Sequence, residues 1–231
     1  MKIYCVASGS SGNCYVVSDG KNEIMLEAGV NPDKVIRAVG HIPKYALLTH
    51  EHDDHAKYSD KFDKYGVNVY CSRGTREAKN LQATVIEKEE TYTIGGFAVY
   101  PFDADHDAEE PFCYLLESLE TGERLLFATD TYYVYKKFGK VTHYLIECNY
   151  DEETISEDVD NAHMNRVVES HISLRNLKLY LKKSIDKSAR EIYICHLSSD
   201  NLNVAKAVKE LKEETGLPVY ACKKDGGFYA E

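Results

Sequence analysis

The stretch Leu48-Thr49-His50-Glu51-His52-Asp53-Asp54-His55 sets the terms on which this chain can fold. Three imidazoles and several carboxylates fall within six residues, directly after the apolar run Tyr45-Ala46-Leu47-Leu48. An apolar run that stops abruptly in polar residues reads as a buried strand running out into a loop. Crowding so many titratable groups costs free energy through desolvation and carboxylate repulsion unless a cation compensates. Imidazole nitrogen and carboxylate oxygen are the donors that a zinc-like or manganese-like ion accepts. A lone His-x-His would read as a solvated loop, whereas His50, His52, Asp54 and His55 together at a strand end read as a metal site.

The pattern recurs along the chain. The run Phe97 to Phe102 ends in Asp103-Ala104-Asp105-His106-Asp107, and Arg124 to Phe127 ends in Ala128-Thr129-Asp130. Tyr144-Leu145-Ile146 ends in Glu147, and Ile192 to Cys195 ends in His196. With the opening cluster, five predicted strands end in polar candidates, which implies one cleft along a common sheet edge.

Around these, Lys2 to Val6, Cys14 to Val17 and Ile24 to Leu26 predict a first meander, Tyr92 to Ile94 pairs with 97–102, and Phe112 to Leu116 makes a hairpin with 124–127. Further strands are predicted at 67–71 and 218–221. A helix is predicted from Asn31-Pro32-Asp33 to Gly40 with Val35, Ile36 and Val39 on one face. Others fall near 57–65, 73–80, 160–168, 173–184 and 203–214, and the acidic run 151–160 reads as a solvated loop or helix start. The loop Ser8-Gly9-Ser10-Ser11-Gly12-Asn13 is similar to a phosphate cradle, but it lacks the P-loop lysine and joins strand to strand, so it is not read as a nucleotide site. Both halves run strands first and then helices, without a Pro/Gly/Ser linker. That order predicts one α/β domain over 1–231, with two mixed sheets face to face and helices outside.

The 231 residues are 43% apolar, enough for a sizeable core, and no segment approaches the ~20 apolar residues of a membrane span. Met1-Lys2-Ile3-Tyr4-Cys5 lacks the apolar region of a secretory signal. Seven cysteines, an odd number without a CxxC pair, read as buried free thiols, and the expected location is cytoplasmic. A net charge of −10 argues against a uniformly basic surface for duplex DNA. It does not argue against an anionic substrate, because a metal site sets its own local charge.

On these residues the sequence resembles the metallo-β-lactamase superfamily over essentially its whole length. His50, His52, Asp54 and His55 match the HxHxDH signature, and His106, Asp130 and His196 match the later single His, Asp and final His. The resemblance implies an αβ/βα four-layer sandwich that binds two divalent metal ions, zinc or manganese. By it, His50, His52 and His106 would hold one ion, Asp54, His55 and His196 the second, and Asp130 would bridge them. Cys71 and Cys113 are not in ligand positions, which favours the two-metal hydrolase pattern over the cysteine-containing lactamase site. Ser8 to Asn13, His106-Asp107-Ala108 and His196-Leu197-Ser198 are similar to the YycJ/WalJ-type single-domain group, related to the nucleases tRNase Z and RNase J. Glu147 and His171 are similar to the tRNase Z pattern of a Glu at a strand end and a His-Ser/Thr before a helix. One departure is Glu27, where the family usually has a supporting Asp.

The function implied is hydrolysis by a hydroxide shared between two metals, as a phosphodiesterase or nuclease on single-stranded or end-exposed nucleic acid. Asp54 would be a ligand and candidate acceptor for the water's proton, and His171, oriented by Glu147, the candidate proton donor to the leaving alkoxide. The alternatives are hydrolysis of a small substrate (a cyclic phosphodiester, thioester or lactone), or a metal-binding redox or regulatory module without hydrolysis. Glu51, Asp53, Asp103, Asp105 and Asp107 are expected to accept N–H groups from ligand histidines or to face solvent. His41 and His143 are read as structural or surface residues and His163 as part of a polar helix. Lysines 136, 137, 140, 182, 183 and 187 are read as solvated.

Overall fold

The protein's structure, a computed structural model, describes residues 1–154 and 167–229. His163 and most of the segments expected at 151–160 and 160–168 lie outside the described residues. Six strands follow one another in space as they do in sequence: β1 (Lys2–Ala7), β2 (Cys14–Ser18), β3 (Glu23–Leu26), β4 (Tyr45–Leu47), β5 (Asn68–Cys71) and β6 (Thr84–Val85). Seven more form a second sheet: β7 (Tyr92–Ile94), β8 (Phe97–Asp103), β9 (Phe112–Ser118), β10 (Arg124–Ala128), β11 (His143–Glu147), β12 (Glu191–Cys195) and β13 (Val219–Ala221). Each sheet is mixed, with antiparallel hairpins giving way to parallel pairs. The helices are α1 (Pro32–Val39), α2 (Asp53–Ala56), α3 (Ser59–Lys64), α4 (Arg73–Lys79), α5 (Leu174–Ser184) and α6 (Val204–Thr215).

The layering follows from alternation along the strands. In β10, Leu125 and Phe127 point into the core shared by the two sheets, while Leu126 and Ala128 join the core beneath Leu177, Leu181 and Leu211 of α5 and α6. Successive side chains of a strand take opposite faces, so a strand apolar at every position must be covered on both. The first sheet is covered on its outer face by Val35 of α1 and Phe62 of α3. Helix, sheet, sheet and helix are therefore stacked in that order, as the αβ/βα expectation required.

Strand direction decides where the chemistry collects. β8 is antiparallel to β9, β9 is antiparallel to β10, and β10, β11 and β12 are mutually parallel. Hence β8, β10, β11 and β12 run the same way, and their C-terminal ends share one edge of the second sheet. β4, which delivers the opening cluster, belongs to the other sheet. The expectation of one common sheet edge is thus corrected to a cleft between the edges of two sheets. An apolar run ending in polar residues marks a strand end without saying which sheet holds it.

Local differences have simple causes. The helix expected at 57–65 is present as α3, and the short α2 before it, which was not expected, puts Asp54 and His55 on a helical turn of their own. α1 is capped as its sequence asks, with Asn31 Oδ1 accepting from the Asp33 amide at 3.2 Å and Gly40 at φ 86°. Yet it buries Val35 while Ile36 is exposed, because eight residues offer only a narrow face. β6 is two residues long, too short for a periodicity. All seven cysteines are buried and free. Among the described residues no helix is long and apolar enough to cross a membrane.

Phe127 is fully buried between the sheets, with its ring edge-on to Tyr15 at 5.8 Å between centroids. Phe127→Ala should lower unfolding stability by about 3–5 kcal/mol, read as a lower midpoint in urea at unchanged slope.

Candidate metal centre

The strand ends bring two donor groups together. His50 and His52 follow β4 and His106 follows β8. His52 Nδ1 lies 3.0 Å from His50 Nε2 and 3.2 Å from His106 Nε2. Asp54 and His55 come from α2, Asp130 follows β10 and His196 follows β12. His55 Nε2 lies 3.2 Å from Asp54 Oδ2 and 3.3 Å from Asp130 Oδ1, and His196 Nε2 lies 3.3 Å from Asp54 Oδ2. Within each group the donor atoms all fall within 4.8 Å of one another. Asp130 stands between the groups: Oδ1 faces His55, while Oδ2 is 3.8 Å from His106 Nε2. Converging ring nitrogens and carboxylates form a cradle that a divalent cation fits in charge and donor type.

The supports fix which nitrogen points inward. His106 Nδ1 donates to the Ser170 carbonyl at 3.1 Å, leaving Nε2 for the centre, and Thr49 Oγ1 lies 2.9 Å from His50 Nδ1. Asn13, from the Ser-Gly loop, donates to Asp54 Oδ2 at 3.2 Å, and its backbone amide donates to the Asp54 carbonyl at 2.7 Å. Glu27 is fully buried, with Oε2 3.6 Å from His55 Nδ1, so the residue that departs from the expected Asp still backs the metal loop. Its Oε1 has no hydrogen-bond partner, and burial first of all raises its pKa. Glu27, Asp130 and His196 also hold left-handed backbone, at φ 68°, 47° and 49°. Such conformations cost on the order of 1–3 kcal/mol each and persist only where the surroundings impose them.

No protein-family model matches the chain. It is similar to exodeoxyribonuclease WalJ of Streptococcus pneumoniae, with 26% identity over 238 residues, 93% of this chain and 86% of WalJ. It is also similar to exodeoxyribonuclease YycJ of Bacillus anthracis, with 28% identity over 243 residues, 93% of this chain and 90% of YycJ. Among solved structures it superposes on the metallo-β-lactamase fold protein YhfI of Bacillus subtilis with a TM-score of 0.73, covering 98% of both chains at 14% identity. The chain has the metallo-β-lactamase fold.

Beside the two donor groups lie Glu147 and His171. Glu147 Oε1 accepts from His171 Nδ1 at 2.7 Å and lies 3.0 Å from His196 Nδ1, and the two rings stack 5.3 Å apart at 12°. Glu147, Asp130, His171 and His196 would themselves make a third donor group. The Glu147 carboxylate, however, already accepts from the Thr131 and Ile172 amides at 3.2 and 3.3 Å, so it acts here as an orienting anion. Four of the five rim acids are engaged by other partners. Asp53 pairs with Lys79, Asp103 with Lys88 at 2.8 Å, Glu51 accepts from the Glu109 amide at 2.9 Å, and Asp105 accepts from Tyr135 at 3.1 Å. His41 is exposed and pairs with Glu23, and His143 is buried beside Thr142. Asn13, Thr49 and the Ser170 carbonyl are the supports that sequence reasoning missed. Asn13 was legible only as part of a loop, and a backbone carbonyl leaves no trace in a sequence.

Electrostatics divide the two donor groups. Burial lowers the pKa of His50, with the neighbouring His55 adding to it, and burial likewise lowers that of His106. For His55 burial also disfavours charge, but Asp130 and Glu27 outweigh it and raise the pKa. For His196 burial is again overcome, by Asp130, Asp54 and Glu147, and its pKa is pushed up to about 10. Asp54 and Asp130 are held well below the usual carboxylate range, because these imidazoles offset the cost of burial. Without metal, the surroundings therefore favour the neutral form of His50 and His106, and the protonated form of His55 and His196.

A raised folded pKa means a proton that must leave before the nitrogen can ligate. Calorimetric zinc titrations at pH 7 in buffers of different ionisation enthalpy should show one ion binding with little proton release. The other should release one proton or more and tighten as pH rises. Equal proton counts for both ions would contradict this division. A second expectation concerns Gly29: a Cβ there would lie 1.8 Å from the Asp54 carbonyl oxygen and 2.7 Å from the Asn13 amide. Gly29→Ala should reduce bound metal from two equivalents toward one while the far-UV spectrum is retained, as measured by elemental analysis.

Proposed function

We propose that this chain is a metal-dependent phosphodiesterase that works as a nuclease on single-stranded or end-exposed nucleic acid. Two divalent cations would serve it, zinc foremost and manganese as a substitute. The observation that carries the reading is Asp130, a buried carboxylate with one oxygen toward His55 and the other toward His106, standing between two donor groups. Similarity over 93% of the chain to two exodeoxyribonucleases supports nucleic acid as the substrate class. Seven buried free thiols suit a reducing compartment, and we place the protein in the cytoplasm.

His50, His52 and His106 would hold one cation, and Asp54, His55 and His196 the other, with Asp130 shared. When bound, such a pair supplies water activated near neutral pH and neutralises charge on the oxygens of an in-line displacement at phosphorus. The chain's own residues would do the rest. Asp54, whose Oδ2 accepts from the Asn13 side-chain amide, would take a proton from the attacking water. His171 has its Nδ1–H on Glu147, leaving Nε2 to give a proton to the leaving alkoxide. Burial disfavours the His171 cation, but Glu147 outweighs burial and raises its pKa, which favours the protonated donor. A cavity of about 440 Å³ lined by His171, His196, Ser8, Ser10, Ser198 and Lys224 offers room for the leaving side of the substrate.

Purified protein with Zn²⁺ or Mn²⁺ should hydrolyse bis-p-nitrophenyl phosphate and end-labelled single-stranded DNA, and a chelator should abolish both. No phosphodiester turnover with either metal would refute the reading. His171→Ala should slow DNA cleavage by about 10²–10⁴-fold, because its alkoxide leaving group needs a proton, and should slow release of p-nitrophenolate far less. Equal losses on both would remove His171 from proton transfer.

A further inference from the structure

The loop that follows Asp130 reads Thr131-Tyr132-Tyr133-Val134-Tyr135-Lys136-Lys137-Phe138, an interleaving of rings and cations that the metal chemistry does not use. Val134 is turned inward, but Tyr132 and Tyr135 are 37% and 71% exposed. Both are nevertheless held in place. The Tyr132 amide donates to the Asp105 carbonyl at 2.8 Å, and the Tyr135 hydroxyl donates to Asp105 Oδ2 at 3.1 Å. The Tyr135 ring rests on Tyr133 at 5.2 Å between centroids, and Tyr133 rests on the buried Tyr180 of α5 at 6.4 Å. A line of rings thus runs from the core to the surface. Asp105, which both exposed tyrosines grip, immediately precedes the metal donor His106, so the loop is tied to the rim of the centre.

Resting on the phosphodiesterase reading, we propose that Tyr132 and Tyr135, with Lys137, form a base-stacking track that leads a single strand of nucleic acid to the metal centre. An exposed ring anchored at its edge offers a flat face, and every base has a π-face to lay on it, so such contacts tolerate any sequence. Bases in a duplex are already stacked and cannot use the track, which selects single strands and frayed ends. Lys136 is committed to Glu89 and to the Tyr100 hydroxyl, the latter at 2.9 Å. Lys137 is exposed and, among the described residues, has no ion-pair partner, so it is available to a phosphate. Its contribution is electrostatic and local, which an acidic protein needs where a polyanion approaches.

The test is the ratio of kcat/KM on end-labelled single-stranded DNA to kcat/KM on bis-p-nitrophenyl phosphate, which is too small to reach the track. Tyr135→Ala should lower this ratio about tenfold, chiefly through KM for DNA. Tyr135→Phe keeps the ring, loses the hydroxyl that holds Asp105, and should keep the wild-type ratio. Lys137→Ala should reduce the slope of log kcat/KM for DNA against log salt by about 0.7. An unchanged ratio in Tyr135→Ala, or equal losses in the Ala and Phe variants, overturns the track while leaving the phosphodiesterase reading in place. Wild-type protein inert on both substrates overturns that reading, and the track with it.

Discussion

Buried negative charge without an adequate counter-charge is the constraint on which the rest of this molecule depends. Asp130 and Glu147 are almost wholly buried, Glu27 is fully buried, and Asp54 adjoins them. Carboxylates in such a place would protonate or unfold the site unless cations met them. In the metal-free chain, His55 and His196 meet part of that demand as imidazolium ions. The arrangement is incomplete all the same. Glu27 Oε1 and His55 Nδ1 are buried without hydrogen-bond partners, and three imidazole nitrogens face one another at 3.0–3.2 Å around His52. Protons balance charge but cannot satisfy several converging lone pairs at once, which is what a metal ion does.

That cluster can exist only because the fold around it is overdetermined. Strands apolar at every position, such as Leu125 to Ala128, are covered on both faces, and their rigidity lets the strand ends present polar groups at fixed spacings. The parallel run of β10, β11 and β12 sets Asp130, Glu147 and His196 side by side at one edge, while β4 delivers His50 and His52 from the facing sheet. Positive φ at Glu27, Asp130 and His196 marks the points where a strand turns sharply to aim its terminal group. The interleaved sheets supply the stability that these three positions spend.

Much of this was legible in the residues. Each of the five polar strand ends does lie at a strand end, since an apolar run that stops at a histidine or acid has few other ways to be satisfied. The assignment of strands to sheets was not legible, because β4 and β8 carry the same signal although they sit in different sheets. The helical turn α2 was hidden because Asp53 read as a rim acid and Asp54 as a loop ligand, while in the structure they open a turn of helix ahead of the one expected at 57–65. The Ser8 to Asn13 loop could be denied a nucleotide role on its missing lysine. Its positive task, in which Asn13 holds Asp54 by side chain and backbone, depends on a contact 41 residues away that no local pattern encodes. Glu27 stood out only as a departure from a family pattern, yet it holds left-handed backbone and reaches to 3.6 Å from His55 Nδ1.

For the proposed nuclease, a net charge of −10 would be unhelpful toward a polyanion, and the way out is distance. At physiological ionic strength, charges farther than about 8 Å apart are largely screened, so the acids spread over the outer helices have little effect at the cleft. Many are also paired, as Glu210 and Glu214 are with Lys178 at 2.9 and 2.7 Å. What an incoming strand would meet at close range is a different set: the donor groups, Lys137, which has no ion-pair partner among the described residues, and the faces of Tyr132 and Tyr135. Stacking on tyrosine is indifferent to net charge, so an acidic chain loses little by relying on it. Attraction can then be confined to the few ångströms where the phosphodiester must be held, with neither a basic surface nor tight binding to duplex DNA elsewhere.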